Sequence, residues 1–263
     1  MKVVEITRGD SPIILAMPHT GTYVPPDIWD DLNPLGQTLE DTDWHVHKLY
    51  EGLLSDVTSV RATFHRYVID ANRDPSGASL YPGQNTTQLC PTTDFEARHL
   101  YHDGKAPSDV QIEQRRLDFH APYHAALTAE IARVKDLHGM AILYDCHSIQ
   151  SRKPFLFQGI LPDFNIGTND GKTCHPILQT AVSGICADCS PMSFVVNGRF
   201  KGGWTTRHYG RPQDRVHAVQ MELAQSTYMD EQAPWAYNSE KASHIRLHLK
   251  NILQTLEQFA KEI

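Results

Sequence analysis

Short apolar runs bounded by turn residues recur along the chain and alternate with stretches of helical spacing. Residues 12–17 (PIILAM) read as a buried strand that stops at Pro18-His19. Residues 67–69 (YVI) read as a second strand and residues 140–144 (MAILY) as a third, the latter ending at Asp145-Cys146-His147-Ser148. Residues 155–157 and 194–196 are shorter candidates, and residues 216–223 (VHAVQMEL) alternate well enough for a further strand. Helical spacing covers residues 41–55, with Asp41 or Thr42 as the cap. It returns over residues 108–137, with a break expected near Pro122, over 176–187 and over 239–263. Strands alternating with helices predict an α/β fold, a mostly parallel or mixed sheet flanked by helices on both faces. No internal repeat, low-complexity tract or linker interrupts residues 1–263, so one domain is expected.

Residues 74–107 break the rhythm. They are rich in Pro, Gly, Asn, Thr and Asp and lack a sustained period. A loop of that length in a compact domain is either a binding element or a surface insertion.

Composition narrows the function. The chain has 263 residues, 24 Lys and Arg against 31 Asp and Glu, and a formal net charge of −7. Mild acidity without a basic block argues against nucleic acid as the main partner. No run approaches the about 18 apolar residues of a membrane span, and the first residues lack a signal-peptide pattern. Five cysteines, an odd number, suit a reduced cytoplasm better than a disulfide framework. Fifteen histidines are many for this length, and histidine is both the commonest metal ligand and the usual proton carrier near neutral pH.

Candidate chemistry sits at strand ends, where ligands collect in open α/β sheets. His19, Asn72-Arg73, His147 and Glu222 each lie at or just past such an end. Singly, each has a bland alternative as a satisfied structural residue. Together, His19 and His147 offer two nitrogen donors, and a catalytic zinc takes three protein ligands and leaves one position open. A third ligand can come from Asp41, Asp43 or His45, and spacing does not choose among them. Glu222, in an otherwise apolar strand, is explained by a salt bridge or by a role as general base. Arg73 and Arg207, the latter beside Gly202-Gly203, suit an anionic small molecule, since a guanidinium grips carboxylate through a two-pronged fork. Pairing with Asp70, Asp74 or Asp214 is the structural alternative. Cys186-Ala187-Asp188-Cys189 is a lone C-x-x-C and a weak signal for metal or redox chemistry. Neither a phosphate-loop motif nor a Gly-x-Ser-x-Gly elbow occurs.

These same segments resemble the N-formylglutamate amidohydrolase family. The resemblance is carried by residues 17–25 (MPHTGTYVP), 41–46 (DTDWHV), 67–75 (YVIDANRDP), 145–148 (DCHS), 202–210 (GGWTTRHYG) and 219–223 (VQMEL), followed by Tyr228-Met229. They stand in family order and span nearly the whole chain. The resemblance implies a fold related to zinc carboxypeptidases and aspartoacylases, a zinc ion or another divalent metal held by His19, Asp43 and His147, and Glu222 as the base that activates water. It also implies that Asn72, Arg73 and Arg207 hold substrate carboxylates, and that the reaction is hydrolysis of N-formyl-L-glutamate in histidine breakdown. The carboxypeptidase His-x-x-Glu pair is absent, because Thr20, Gly21 and Thr22 follow His19. Alternatives are hydrolysis of another N-acyl amino acid or small peptide, or non-catalytic binding of a metal or amino acid.

Overall fold

The computed structural model describes residues 2–79 and 83–260. Seven strands form one sheet in the order β1-β3-β2-β4-β7-β5-β6. These are β1 (Val4–Thr7), β2 (Ile13–Met17), β3 (Thr58–Ala62), β4 (Ala141–Ile149), β5 (Phe164–Gly167), β6 (Phe194–Val196) and β7 (Val216–Ala224). The central run β3-β2-β4-β7 is parallel. β1 joins β3 antiparallel, and β5, antiparallel to β7, carries β6 parallel to itself. The sheet is therefore mixed. The helices are α1 (Pro26–Asp31), α2 (Val46–Tyr50), α3 (Asp109–Arg115), α4 (Ala121–His138), α5 (Pro176–Ala187), α6 (Trp204–Tyr209) and α7 (Ser239–Ala260).

Every residue of β2, β4 and β7 is buried, as expected for central strands covered on both faces. Successive side chains point to opposite faces. Ile13, Leu15 and Met17 of β2, Ile142, Tyr144 and Cys146 of β4, and Val219, Met221 and Leu223 of β7 pack with α2, α5 and α7. Ile14, Ala16, Ala141, Leu143 and Ala218 face the other way, against Tyr123, Leu127, Ile131 and Val134 of α4. Among the described residues, no helix is long and apolar enough to cross a membrane.

Several expectations change. Residues 67–69 form a buried turn, closed by the Val68 amide donating to the His65 carbonyl at 2.9 Å. The strand in that part of the sheet is β3, whose Thr-Ser-Val-Arg-Ala sequence gives almost no apolar signal. Residues 155–157 are likewise a turn, with the Leu156 and Phe157 amides on the Lys153 carbonyl. β1 and β5, both of four residues, were not expected. Over residues 41–55 only α2 is helical, because the preceding backbone is committed to tertiary contacts. The Asp43 amide donates to the His19 carbonyl at 3.1 Å, the Asp41 carboxylate accepts from the Phe95 amide at 3.0 Å, and His45 adopts a left-handed conformation (φ 62°). Neither Asp41 nor Thr42 caps a helix.

The expected break near Pro122 is instead a widened turn. A π-helical segment at Arg116–His120 joins α3 to α4 without ending the helix. The extra residue in the turn accommodates a proline that cannot donate to the ladder and would crowd the carbonyl four residues back. Ser108 and Gln111 form a reciprocal cap at the start of α3, and Gly139 (φ 72°) ends α4. The described part of residues 74–107 has neither helix nor regular strand, yet Cys90, Leu100 and Tyr101 are buried in it. It is a packed wall, and part of it faces the cavity described next.

Candidate active site

Strand periodicity builds the site. On the α4 face, the apolar residues Ala141 and Leu143 of β4 give way to Asp145 and His147 toward the strand's carboxyl end. Ala218 of β7 gives way to Gln220 and Glu222 in the same manner. β4 and β7 pair in register, so His147 stands beside Glu222 and Asp145 beside Gln220. His19 follows the end of β2, and Asp43 is brought to it by the backbone bond between residues 43 and 19. Asn72 and Arg73 follow the buried turn at residues 67–69.

His19, Asp43 and His147 converge with one donor atom from each within 4.8 Å of the others, and all three are buried. The imidazoles are oriented from behind. His19 Nε2 lies 2.6 Å from Asp70 Oδ1, which turns its Nδ1 toward Asp43 at 3.7 Å. His147 Nε2 lies 3.0 Å from Asp145 Oδ1 and 3.1 Å from the Asn72 amide, and its Nδ1 lies 3.1 Å from Asp43 Oδ2. Backing carboxylates behind metal-binding imidazoles set ring orientation and raise ligand basicity. Two imidazoles and a carboxylate also match the donor set of a catalytic zinc site with an open position. The residues present fit a divalent metal. Neither Asp41, bound to the Phe95 amide, nor His45, whose Nε2 lies 2.7 Å from the Trp235 carbonyl, joins them.

The electrostatics agree with this division of roles. Burial opposes ionisation of Asp43, but hydrogen bonds from His147 and His19 hold its carboxyl well below the usual range. Asp70 is likewise held low against burial by His19, Arg73 and Arg66. Glu222 behaves oppositely. Burial pushes it up to about 7, in spite of nearby His147. Among the described residues no Lys or Arg forms an ion pair with Glu222. Its Oε2 accepts from Gln220 Nε2 at 3.0 Å, and Gln220 Oε1 accepts from the Gly203 amide at 2.7 Å.

A cavity opens over these groups, lined by His19, Asp43, His147, Gln220 and Glu222. Arg66, Arg73, Arg199, Asn72 and the residue 85–87 segment complete most of the remaining polar wall. Arg73 Nε donates to the Thr87 carbonyl at 3.1 Å and Nη2 to Thr87 Oγ1 at 3.0 Å, while Nη1 lies 3.7 Å from Asp70. Asn72 Oδ1 accepts from the Thr205 amide at 2.8 Å. A Cβ on Gly203 would lie 2.2 Å from Asn72 Nδ2, so glycine is required for this approach. Arg207 is not among the cavity's lining residues. Its Nε donates to the Gly202 carbonyl at 2.8 Å, bracing the turn that presents Gly203.

Arg66, Arg199, Gln220 and Asp145 were not singled out from sequence, and Asp70 was named only as a possible partner of Arg73, a contact the structure has at 3.7 Å. Asp145 and Gln220 could have been found by the period of two, each lying two residues before a candidate on the same strand face. Arg66, its guanidinium against the His19 ring and 4.8 Å from the Phe95 ring, had no comparable signal. The Cys186/Cys189 pair lies at the end of α5, buried and unbridged, with the Cys189 thiol donating to the Ile185 carbonyl. Among the described residues, only His19, Asp43 and His147 gather as a metal-binding group.

A mixed α/β sheet that gathers two imidazoles, a carboxylate and a buried glutamate of raised pKa brings together groups able to hold a divalent metal and to move a proton. Comparison with known proteins identifies the family. The profile of the N-formylglutamate amidohydrolase family matches residues 11–229. The chain is 43% identical over 262 residues to an N-formylglutamate deformylase of Pseudomonas aeruginosa and 42% identical to one of Pseudomonas putida. In both cases the match covers 99% of this chain and 98% of the relative. A solved N-formylglutamate amidohydrolase of Ralstonia eutropha superposes with a TM-score of 0.82 at 25% identity, covering 100% of this chain and 99% of the other. A solved Agrobacterium tumefaciens protein shares the fold, with a TM-score of 0.73 at 19% identity over 98% of this chain and 97% of that one. The chain belongs to the N-formylglutamate amidohydrolase family.

Proposed function

We propose that this protein hydrolyses N-formyl-L-glutamate to L-glutamate and formate, with a divalent metal, zinc first among the candidates, held by His19, Asp43 and His147. The observation that carries the reading is the placement of Glu222 beside His147 on the adjoining strand, in a chain similar over nearly its full length to proteins named for this reaction. A bound zinc ion supplies Lewis-acid polarisation and a water of lowered pKa. Glu222, raised toward neutrality by burial, accepts a proton from the attacking water as its oxygen bonds to the formyl carbon. It then delivers that proton to the glutamate nitrogen as the carbon–nitrogen bond breaks. Gln220 keeps the Glu222 carboxylate aimed into the cavity. Arg66, at the cavity wall against His19, is placed to meet the negative charge that develops on the formyl oxygen. Asn72 and Arg73 hold the α-carboxylate, and Arg207 keeps the Gly202-Gly203 turn in position. The five buried, unbridged cysteines suit the reducing cytoplasm in which we place the enzyme, as part of histidine breakdown.

The test is formate release from N-formyl-L-glutamate by the protein as purified, after chelation, and after zinc is restored. Activity lost on chelation and recovered with zinc is expected. A folded, zinc-loaded protein that releases no formate, yet cleaves acetyl or succinyl glutamate, would move the activity to another N-acyl amino acid. No turnover of any acyl amino acid would leave a binding protein.

A further inference from the structure

Among the described residues, three guanidinium groups line the cavity, and they are not equivalent. Arg66 and Arg73 both lean on Asp70, at 3.6 and 3.7 Å, and stand with the donor cluster that Asp70 backs. Arg199 enters from elsewhere, the connection between β6 and α6. Its Nε donates to the Leu156 carbonyl at 2.9 Å and its Nη2 to the Asn85 carbonyl at 2.7 Å, and its guanidinium carbon lies 5.4 Å from the Phe200 ring centre. Two carbonyls from separate segments orient the fork. The same cavity is lined by Leu156, Phe200 and Ile149. A cation on a cavity that also carries apolar side chains fits a ligand with a short hydrocarbon stem ending in a carboxylate.

We propose that Arg199 is the specificity residue for the side-chain carboxylate of the substrate, so that the enzyme selects acyl amino acids with a second acidic group. Leu156, Ile149 and Phe200 take the intervening methylenes. The inference rests on the N-formylglutamate reading and adds the residue that separates glutamate from neutral side chains. Arg207, expected from sequence to share this work, is not among the described residues that line the cavity, and its Nε donates to the Gly202 carbonyl.

N-formyl-L-glutamine retains the α-carboxylate and the stem and replaces only the charged end, so it isolates the interaction. The experiment compares kcat/KM for N-formyl-L-glutamate and N-formyl-L-glutamine in the zinc-loaded wild type, Arg199→Met, Arg199→Lys and Arg73→Met. Wild type should prefer the glutamate substrate. Arg199→Met should lose about 10- to 100-fold on it, mainly through KM, and change little on the glutamine substrate, the range expected for one charge-assisted hydrogen-bonded contact. Arg199→Lys should recover part of the preference, and Arg73→Met should lose activity on both substrates. Equal losses on both substrates in Arg199→Met would mean that the residue only ties the two loops together, and would overturn the proposal. Loss of the preference in Arg73→Met alone would also overturn it. A wild type inactive on both substrates would instead refute the reading on which the proposal rests.

Discussion

The two faces of the sheet are built by the same strands, yet they carry different work. Toward α2, α5 and α7, strands β2, β4 and β7 present Leu15, Met17, Ile142, Tyr144, Cys146, Val219, Met221 and Leu223, a mainly apolar layer with His217 at its edge. Toward α4, the same strands begin apolar and end in Asp145, His147, Gln220 and Glu222, all buried. A polar group buried without partners costs several times more than a missing methylene returns. The second face is therefore tolerable only because each group there has a partner within hydrogen-bonding or ion-pair reach. One face supplies stability, and the other is where the fold holds charge in place.

The sharpest way to break this comparison is Glu222→Gln. The amide keeps the shape and the contact with Gln220 but cannot accept a proton, so kcat should fall about 10²- to 10⁴-fold. Metal content, measured on the same sample by atomic absorption, should not change. Equal metal and unchanged turnover would remove the base from Glu222.

The opposite face should respond in the opposite currency. Leu253 of α7 is fully buried in the apolar layer. Leu253→Ala should cost about 2–5 kcal/mol of unfolding free energy through the lost contacts and the cavity left behind. Turnover per folded molecule should stay near wild type. A large fall in kcat at full folding would show that the two faces are coupled more tightly than this division allows.

Much of this organisation was legible in the sequence, and the failures share a cause. α5 and α7 were readable because amphipathic spacing over many residues is a strong signal, β2 and β4 because central parallel strands are continuous apolar runs, and β7 because its residues alternate. β3 was missed since its pairing partners, not its Thr, Ser and Arg side chains, make it a strand. Residues 67–69 failed in the reverse direction, as three buried apolar residues look alike in a strand and in a turn. His19, His147 and Glu222 could be named because they sit at strand ends, whereas Asp43, Asn72 and Arg73 were named through the segments that resemble the family. Arg66 and Arg199 reach the cavity from connections, and only the folded chain brings them there.

A smaller effect is expected behind the histidines. Asp145→Asn keeps the Thr206 hydroxyl contact possible but removes the carboxylate beside His147 Nε2. Burial opposes protonation of His147, while Asp145 and Asp43 together raise its pKa well above the usual value. Loss of such a backing carboxylate typically weakens metal binding about 10- to 100-fold. Competition with a zinc chelator would measure it, and an unchanged zinc affinity would show that Asp43 and Asn72 suffice to orient the ring.

The mildest probe sharpens the comparison through pH. The α4 face is held against the site by imidazoles as well as by apolar packing, for His124 Nε2 lies 2.8 Å from the Ala71 carbonyl, next to Asn72. Its other nitrogen faces the Tyr209 hydroxyl at 3.0 Å, so the neutral ring can donate to one partner and accept from the other. Burial pushes the pKa of His124 down to about 3, with the charge of neighbouring His120 acting in the same direction. Between pH 6.5 and about 3 the unfolded chain therefore binds a proton at this residue that the folded chain refuses. Stability rises with pH wherever the unfolded state holds more protons, so acidification across that window is destabilising. At pH 5 the expected loss from His124 is about 2 kcal/mol relative to neutral pH. Burial also lowers His217, on the α5 face, to about 4, so a loss in the same window should persist when His124 is removed. Urea unfolding of wild type and His124→Gln at pH 7 and pH 5 separates the two. The variant, less stable at neutral pH, should lose about 2 kcal/mol less on acidification than wild type does. If both lose the same amount, His124 is not held neutral, and the contact beside Asn72 does not depend on its ionisation.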